Sequence, residues 1–191
     1  MGSLNTAVGA QALFSNTSRG YNTANGVQAL FSNTTGSYNM AYGVSALFFN
    51  STGFYNAAFG TSALASNDTG NNNTAIGYAS LINNTTADNN TAIGYAALIN
   101  NATGAGNVAV GYQAGGGVTT ASNVICVGAN IAGADISNTT WIGNVYGATT
   151  QSGTTAPVIV SDSVSSARSP PQSGLRRTLP LWKRQVKQSC H

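Results

Sequence analysis

Glutamate is absent from this sequence, and charged residues make up 6% of its 191 positions, against about 25% in ordinary soluble domains. The acids are four isolated aspartates, Asp68, Asp88, Asp135 and Asp162, and the one histidine is the terminal His191. General acid–base or nucleophilic catalysis needs titratable groups within reach of one another. The sequence supplies no such pair, so an enzyme is not expected. Cysteine is nearly as scarce: Cys126 and Cys190 form neither a CxxC nor a Cys/His cluster, so no metal, cofactor or thiol-redox motif is expected. No apolar run approaches the ~18 residues of a membrane span. The opening Met1-Gly2-Ser3-Leu4 lacks the features of a signal peptide and runs straight into a repeat, like an array opened in mid-course. The formal charge of +3 belongs to the tail. Up to Asp162 the only cation is Arg19, whereas Arg168, Arg176, Arg177, Lys183, Arg184 and Lys187 follow it. A nucleic-acid partner needs basic residues on the folded surface, so none is expected.

Asn, Thr, Ser, Ala and Gly dominate instead, a composition that favours turns and strands over helices. Their order is periodic. Asparagine recurs every 17 residues at Asn5, Asn22, Asn39, Asn56, Asn73, Asn90 and Asn107. Glycine follows at the same interval at Gly9, Gly26, Gly43, Gly60, Gly77, Gly94, Gly111 and Gly128, with alanine or Cys126 two residues before each. A third column holds Leu13, Leu30, Leu47, Leu64, Leu81 and Leu98. The unit reads N-T-A-x-G-x-x-A-L followed by a polar stretch, and a shorter variant, Trp141-Ile142-Gly143, closes the series.

Helical repeats need about 33 to 47 residues per unit, so a unit of 17 predicts a β-coil. Two strands of four or five residues with a turn at each end would fill it, and the residue before each glycine is mostly a strand former. Stacked coils would set the leucines in a column, about 4.8 Å per step. The N-x-T-G-x-Y/N stretch reads as a turn, with Gly20, Gly36, Gly53, Gly70 and Gly104 suited to positive φ. Asparagines repeated at such a turn can form a ladder of amide hydrogen bonds. Coils of small residues bury little, so stability must come from stacking and caps. Association along a leucine and aromatic stripe (Phe14, Phe31, Phe48, Tyr78, Tyr95, Tyr112) would add to it. The expected fold is therefore all-β, a parallel β-solenoid (β-roll) of about eight 17-residue coils, homo-oligomeric, with an irregular tail.

Repeats such as Asn73-Thr74-Ala75-Ile76-Gly77-Tyr78 and Asn90-Thr91-Ala92-Ile93-Gly94-Tyr95-Ala96-Ala97-Leu98 resemble the heads of trimeric autotransporter adhesins. They are also similar to the long arrays of phage-type tail-fibre proteins. The resemblance runs over about residues 5–147, although the adhesin unit is usually shorter than 17. It implies a left-handed roll that trimerises along an apolar face, and a structural, adhesive fibre segment at a cell surface or on a virion. A host-surface receptor or glycan is the implied partner. The domains read as a repeat body over 1–147, a closing segment over 148–164 and a basic tail over 165–191. Residues 138–160 are similar to the segment that precedes an intramolecular chaperone in such fibres. That family's Ser/Lys self-cleavage motif does not appear in the residues after it. The tail's abrupt change of composition fits an out-of-frame extension, because shifted codons for Gly174–Cys190 permit a string similar to that chaperone's opening.

Other chemistries fit the residues less well. Asn16, Asn33, Asn50, Asn67, Asn84, Asn101 and Asn138 begin Asn-x-Ser/Thr sequons, but their spacing copies the repeat and reads as turn composition. Asp68 and Asp88 fall in turns singly, unlike the Asp-rich turns of calcium-binding rolls. The alternative function is a monomeric ice- or carbohydrate-binding solenoid with a threonine face. Thr6, Thr23, Thr74 and Thr91 share one register, which Met40, Ala57 and Val108 interrupt. The basic residues from Arg176 to Lys187 could meet acidic lipid or nucleic acid, and an extension out of frame accounts for them better.

Overall fold

The computed structural model describes residues 4–17 and 20–143. The chain divides into units of residues Met1–Ala148 and Thr149–His191, and every described residue lies in the first. The closing-segment, chaperone-like and out-of-frame readings of the tail fall outside the described residues.

The body is a parallel β-solenoid of about eight turns, without helix among the described residues. Nine strands form one sheet in sequence order: β1 (Thr6–Val8), β2 (Thr23–Asn25), β3 (Met40–Tyr42), β4 (Ala57–Phe59), β5 (Thr74–Ile76), β6 (Thr91–Ile93), β7 (Val108–Val110), β8 (Ile125–Val127) and β9 (Thr140–Ile142). Each pairs in parallel with the next at a shift of one repeat, Ala7 against Ala24 and Ala75 against Ala92, for example. The alanine at the centre of each strand from β2 to β7 points inward and is buried, while its two neighbours face outward.

The coil holds one strand of three residues where the sequence predicts two longer ones. The G-x-x-A-L stretch is not extended. Gly9, Gln11 and Leu13 all have positive φ, and the alternation recurs in later coils, as at Gly43, Ser45 and Leu47. Tight turns result, with Ala29 N donating to Gly26 O and Asn33 N to Leu30 O. The curled backbone still bonds to its neighbours, since Leu30 N donates to Ala46 O and Gln28 N to Ala10 O. Hydrogen bonding between coils therefore continues around the turn, which is how 17 residues close a circuit with so short a strand.

Leu30, Leu47, Leu64, Leu81 and Leu98 are at most 1% exposed and fill the interior with the alanines, while Leu13 at the first coil is half-buried. The leucines are thus core of a single chain, and the expected intermolecular stripe cannot include them. The glycine column has a steric cause. At Gly60 φ is 139°, and a Cβ there would lie 2.5 Å from Gly77 O in the next coil. The turn glycines Gly36, Gly53, Gly70 and Gly104 do not adopt the positive φ expected of them. They are small because a Cβ at Gly53, for one, would strike Asn50 Oδ1 at 2.5 Å. Positive φ at that turn belongs instead to Tyr38, Tyr55, Asn72 and Asn89.

Candidate functional site

Two asparagine ladders run through the stack. In the first, each repeat-defining asparagine accepts the backbone N–H of its counterpart one coil on. Asn22 N donates to Asn5 Oδ1 (3.0 Å), and the pattern continues through Asn39, Asn56, Asn73, Asn90 and Asn107 until Val124 N donates to Asn107 Oδ1 (2.8 Å). The second ladder is made by the sequon asparagines. Asn33 Nδ2 donates to Asn16 Oδ1, Asn50 to Asn33 and Asn67 to Asn50, each at 2.8 Å, and Asn84 and Asn101 continue the column. Each of these amides also donates to a carbonyl three residues on in its own turn, as Asn50 does to Gly53 O. Asn33, Asn50, Asn67, Asn84 and Asn101 are completely buried, so the folded coil offers no room for a glycan on them. Among the described residues no buried side-chain polar atom lacks a hydrogen-bond partner.

Both ladders stop where valine replaces asparagine, at Val118 and Val124, and Gly115 ends the leucine column. Asp135 completes this end. In the interior, three successive N–H groups of a turn converge on one carbonyl of the next coil: Ser51, Thr52 and Gly53 all donate to Asp68 O. In the last full turn Asp135 Oδ1 takes that carbonyl's place, accepting from Thr119 N, Thr120 N and Ala121 N at 2.7 to 2.9 Å. Its Oδ2 accepts from the hydroxyls of Thr119 and Thr120. These bonds, that from the Thr119 side chain first, hold the Asp135 carboxyl well below the usual carboxylate range. Sequence reasoning missed the cap because a single aspartate, two intervals past the last asparagine of its column, carries no repeating signal.

One outward column of the sheet is apolar except at Asn25, while the other mixes apolar residues with Thr6, Thr23, Thr74, Thr91 and Thr140. Val8, Tyr42, Ile76, Ile93, Val110, Val127 and Ile142 share one column with 37 to 57% of each exposed, flanked by Met40 and Ile125 and by the tyrosines after the glycines. Aromatic rings stack along the coils in separate columns. Tyr78, Tyr95 and Tyr112 have centroids 5.3 and 5.1 Å apart, and Phe14, Phe31 and Phe48 are 5.2 and 5.1 Å apart in other coils. The single stripe expected from sequence is therefore two. Another column, Tyr21, Tyr38 and Tyr55, stacks at 4.9 Å. Its 17-residue spacing is present in the sequence at 21, 38 and 55.

Cys126 takes an alanine position in β8, and burial pushes its thiol up, as expected of an inert core cysteine. Among the described residues no group of three or more His, Cys, Asp or Glu could hold a metal ion, and no helix is long and apolar enough to cross a membrane. Asp68 and Asp88 serve neighbouring turns, bonding Ser51 Oγ and Asn71 N respectively. Fold and ladders together define a β-solenoid repeat protein. Comparison with protein-family models, curated proteins and solved structures finds no match to this chain.

Proposed function

We propose that the chain is a non-enzymatic segment of an adhesive fibre, at a cell surface or on a virion, in which three copies associate along the outer face of the sheet. The observation that carries this reading is that face itself. A column of side chains, apolar except at Asn25, runs the length of the sheet, from Val8 through Ile76, Ile93 and Val110 to Ile142, and is partly exposed in the single chain. Contiguous apolar patches of this kind mark interaction surfaces in soluble proteins. A partner with the same 17-residue repeat matches the column step for step, which favours a second and third copy over an unrelated chain. The number three comes from the resemblance to adhesin heads. Ladders, stacked rings and continuous inter-coil bonding suit a stiff spacer, and the stack offers no pair of groups suited to catalysis.

The threonine face needed for ice binding is interrupted at Met40, Ala57, Val108 and Ile125 in the outward register that Thr6, Thr23, Thr74 and Thr91 occupy, so the strand face favours association. Light scattering coupled to size exclusion on the full chain tests the proposal. The expected mass is three times the 19.3 kDa chain, and a folded monomer would remove it.

A further inference from the structure

Between coils two and three the turn side of the stack opens into a cleft of about 480 Å³, lined by Thr35, Ser37, Tyr38, Thr52, Phe54 and Tyr55. That volume lies within the usual range of small-molecule sites. We propose that this cleft binds a neutral saccharide unit. Tyr38 stacks between Tyr21 and Tyr55 (4.9 Å on each side), so both its faces are covered, while Tyr55 has one face covered by Tyr38; both tyrosines line the cleft. Phe54 stands at 82° to Tyr55 and is 42% exposed, which leaves a ring face without a stacked neighbour. An aromatic face carries negative quadrupole charge and suits the weakly positive C–H face of a pyranose.

Five hydroxyls surround that platform: those of Thr35, Ser37, Thr52, Tyr38 and Tyr55. In the adjoining register the hydroxyls of Thr17, Thr34, Ser51 and Thr85 bond to carbonyls of the next coil. Among the described residues no such bond engages Thr35, Ser37 or Thr52, and none of their hydroxyls is a buried, unsatisfied group. Thr35 and Thr52 are exposed and remain open to a ligand, whereas Ser37 is largely buried. A hydroxyl both donates and accepts, as each sugar hydroxyl does, whereas a proline-rich strand would bring acceptors almost alone. No side chain charged at neutral pH lines the cleft, which suits an uncharged ligand.

The coil does not need these aromatics. In the next coil the positions of Phe54 and Tyr55 hold Asn71 and Asn72, with the same backbone and φ 56° at Asn72. Tyr38 and Tyr55 sit at φ 59° and 58°, a left-handed conformation that asparagine adopts more readily than tyrosine. Bulky rings are thus kept where a better-suited residue is at hand, as happens where binding outweighs local comfort.

The site rests on the single coil stack and not on the association of chains. Its test is saturation-transfer NMR on the full chain with glucose, galactose, mannose and their neutral oligomers, beside a proline-rich peptide. The expected result is transfer to at least one saccharide, lost in the double variant Phe54→Asn/Tyr55→Asn and weakened about fivefold by Thr35→Val, as for one lost hydrogen bond. The double variant writes the sequence of the following coil into this one, so it should fold with unchanged circular dichroism. Transfer to no saccharide, transfer that survives the double variant, or transfer to the peptide alone would each overturn the proposal. Light scattering on the same samples reads chain association separately, so either idea can fail without the other.

Discussion

Asn67 stands midway along the buried amide ladder, donating to Asn50 Oδ1 and Gly70 O and accepting from Asn84 Nδ2. Replacing it with alanine leaves buried partners on both sides short of a bond, a loss worth roughly 1–3 kcal/mol for each unsatisfied group. Asn67→Ala should therefore cost about 3 kcal/mol in chemical denaturation. Asn83→Ala, one coil on at an exposed position, should stay within about 0.5 kcal/mol of the parent. Equal effects would show that the inner ladder contributes nothing special. Gly60→Ala tests the other column. Both its φ of 139° and the carbonyl of Gly77 oppose a Cβ, so the variant should fall several degrees in Tm or fail to fold. An unchanged Tm would contradict the close approach of coils. At this scale the sequence was legible as spacing and less so as role. The Asn and Gly columns stood out because stacking forces each coil to repeat its neighbour's sterics. That the leucines occupy left-handed backbone is invisible to hydrophobic pattern, which cannot separate a curled apolar turn from a strand.

The single coil shows why the two-strand expectation failed. Period and alternation suggested extended segments on both sides of the glycine, yet G-x-x-A-L alternates the sign of φ and bonds across coils without being extended. At the C-terminal end of the described stack, Asp135 takes the place of a missing coil's carbonyl for Thr119, Thr120 and Ala121. Its carboxyl is held lower in the folded state than in the unfolded chain, so its stabilising effect is full above the ordinary carboxylate range near pH ~4. The effect fades as pH falls further, toward the lower folded value. The protection of those three N–H groups against exchange, relative to the free-chain rate at the same pH, should be high at neutral pH and fall in strong acid, and Asp135→Ala should lower it at neutral pH. Protection that persists in Asp135→Ala would assign the end of the stack to other residues. The cap was not legible in sequence because one aspartate among turn residues carries no periodic signal.

For the molecule as a whole, all-β stacking follows from the 17-residue period, since each coil is too small to close a core alone. Small interior residues and a partly exposed, mostly apolar column on the sheet follow from the same repeat, because the alanines turn inward and their neighbours outward. The aromatic cleft between coils two and three depends on which residues depart from the repeat, and departures are where a repeating sequence is hardest to read. The proposed association gathers several chains' clefts on one fibre, so weak sites would act together.

The central claim, that the outer sheet face joins the chains, is tested most directly by the mass in solution of the full chain beside its Ile76→Lys/Ile93→Lys variant. Both isoleucines are exposed in the single chain, so a lysine at each leaves the coil interior intact, and circular dichroism should not change. Three chains are expected for the parent and one for the variant. A monomeric parent, or a variant that keeps the parent's mass, would contradict the claim.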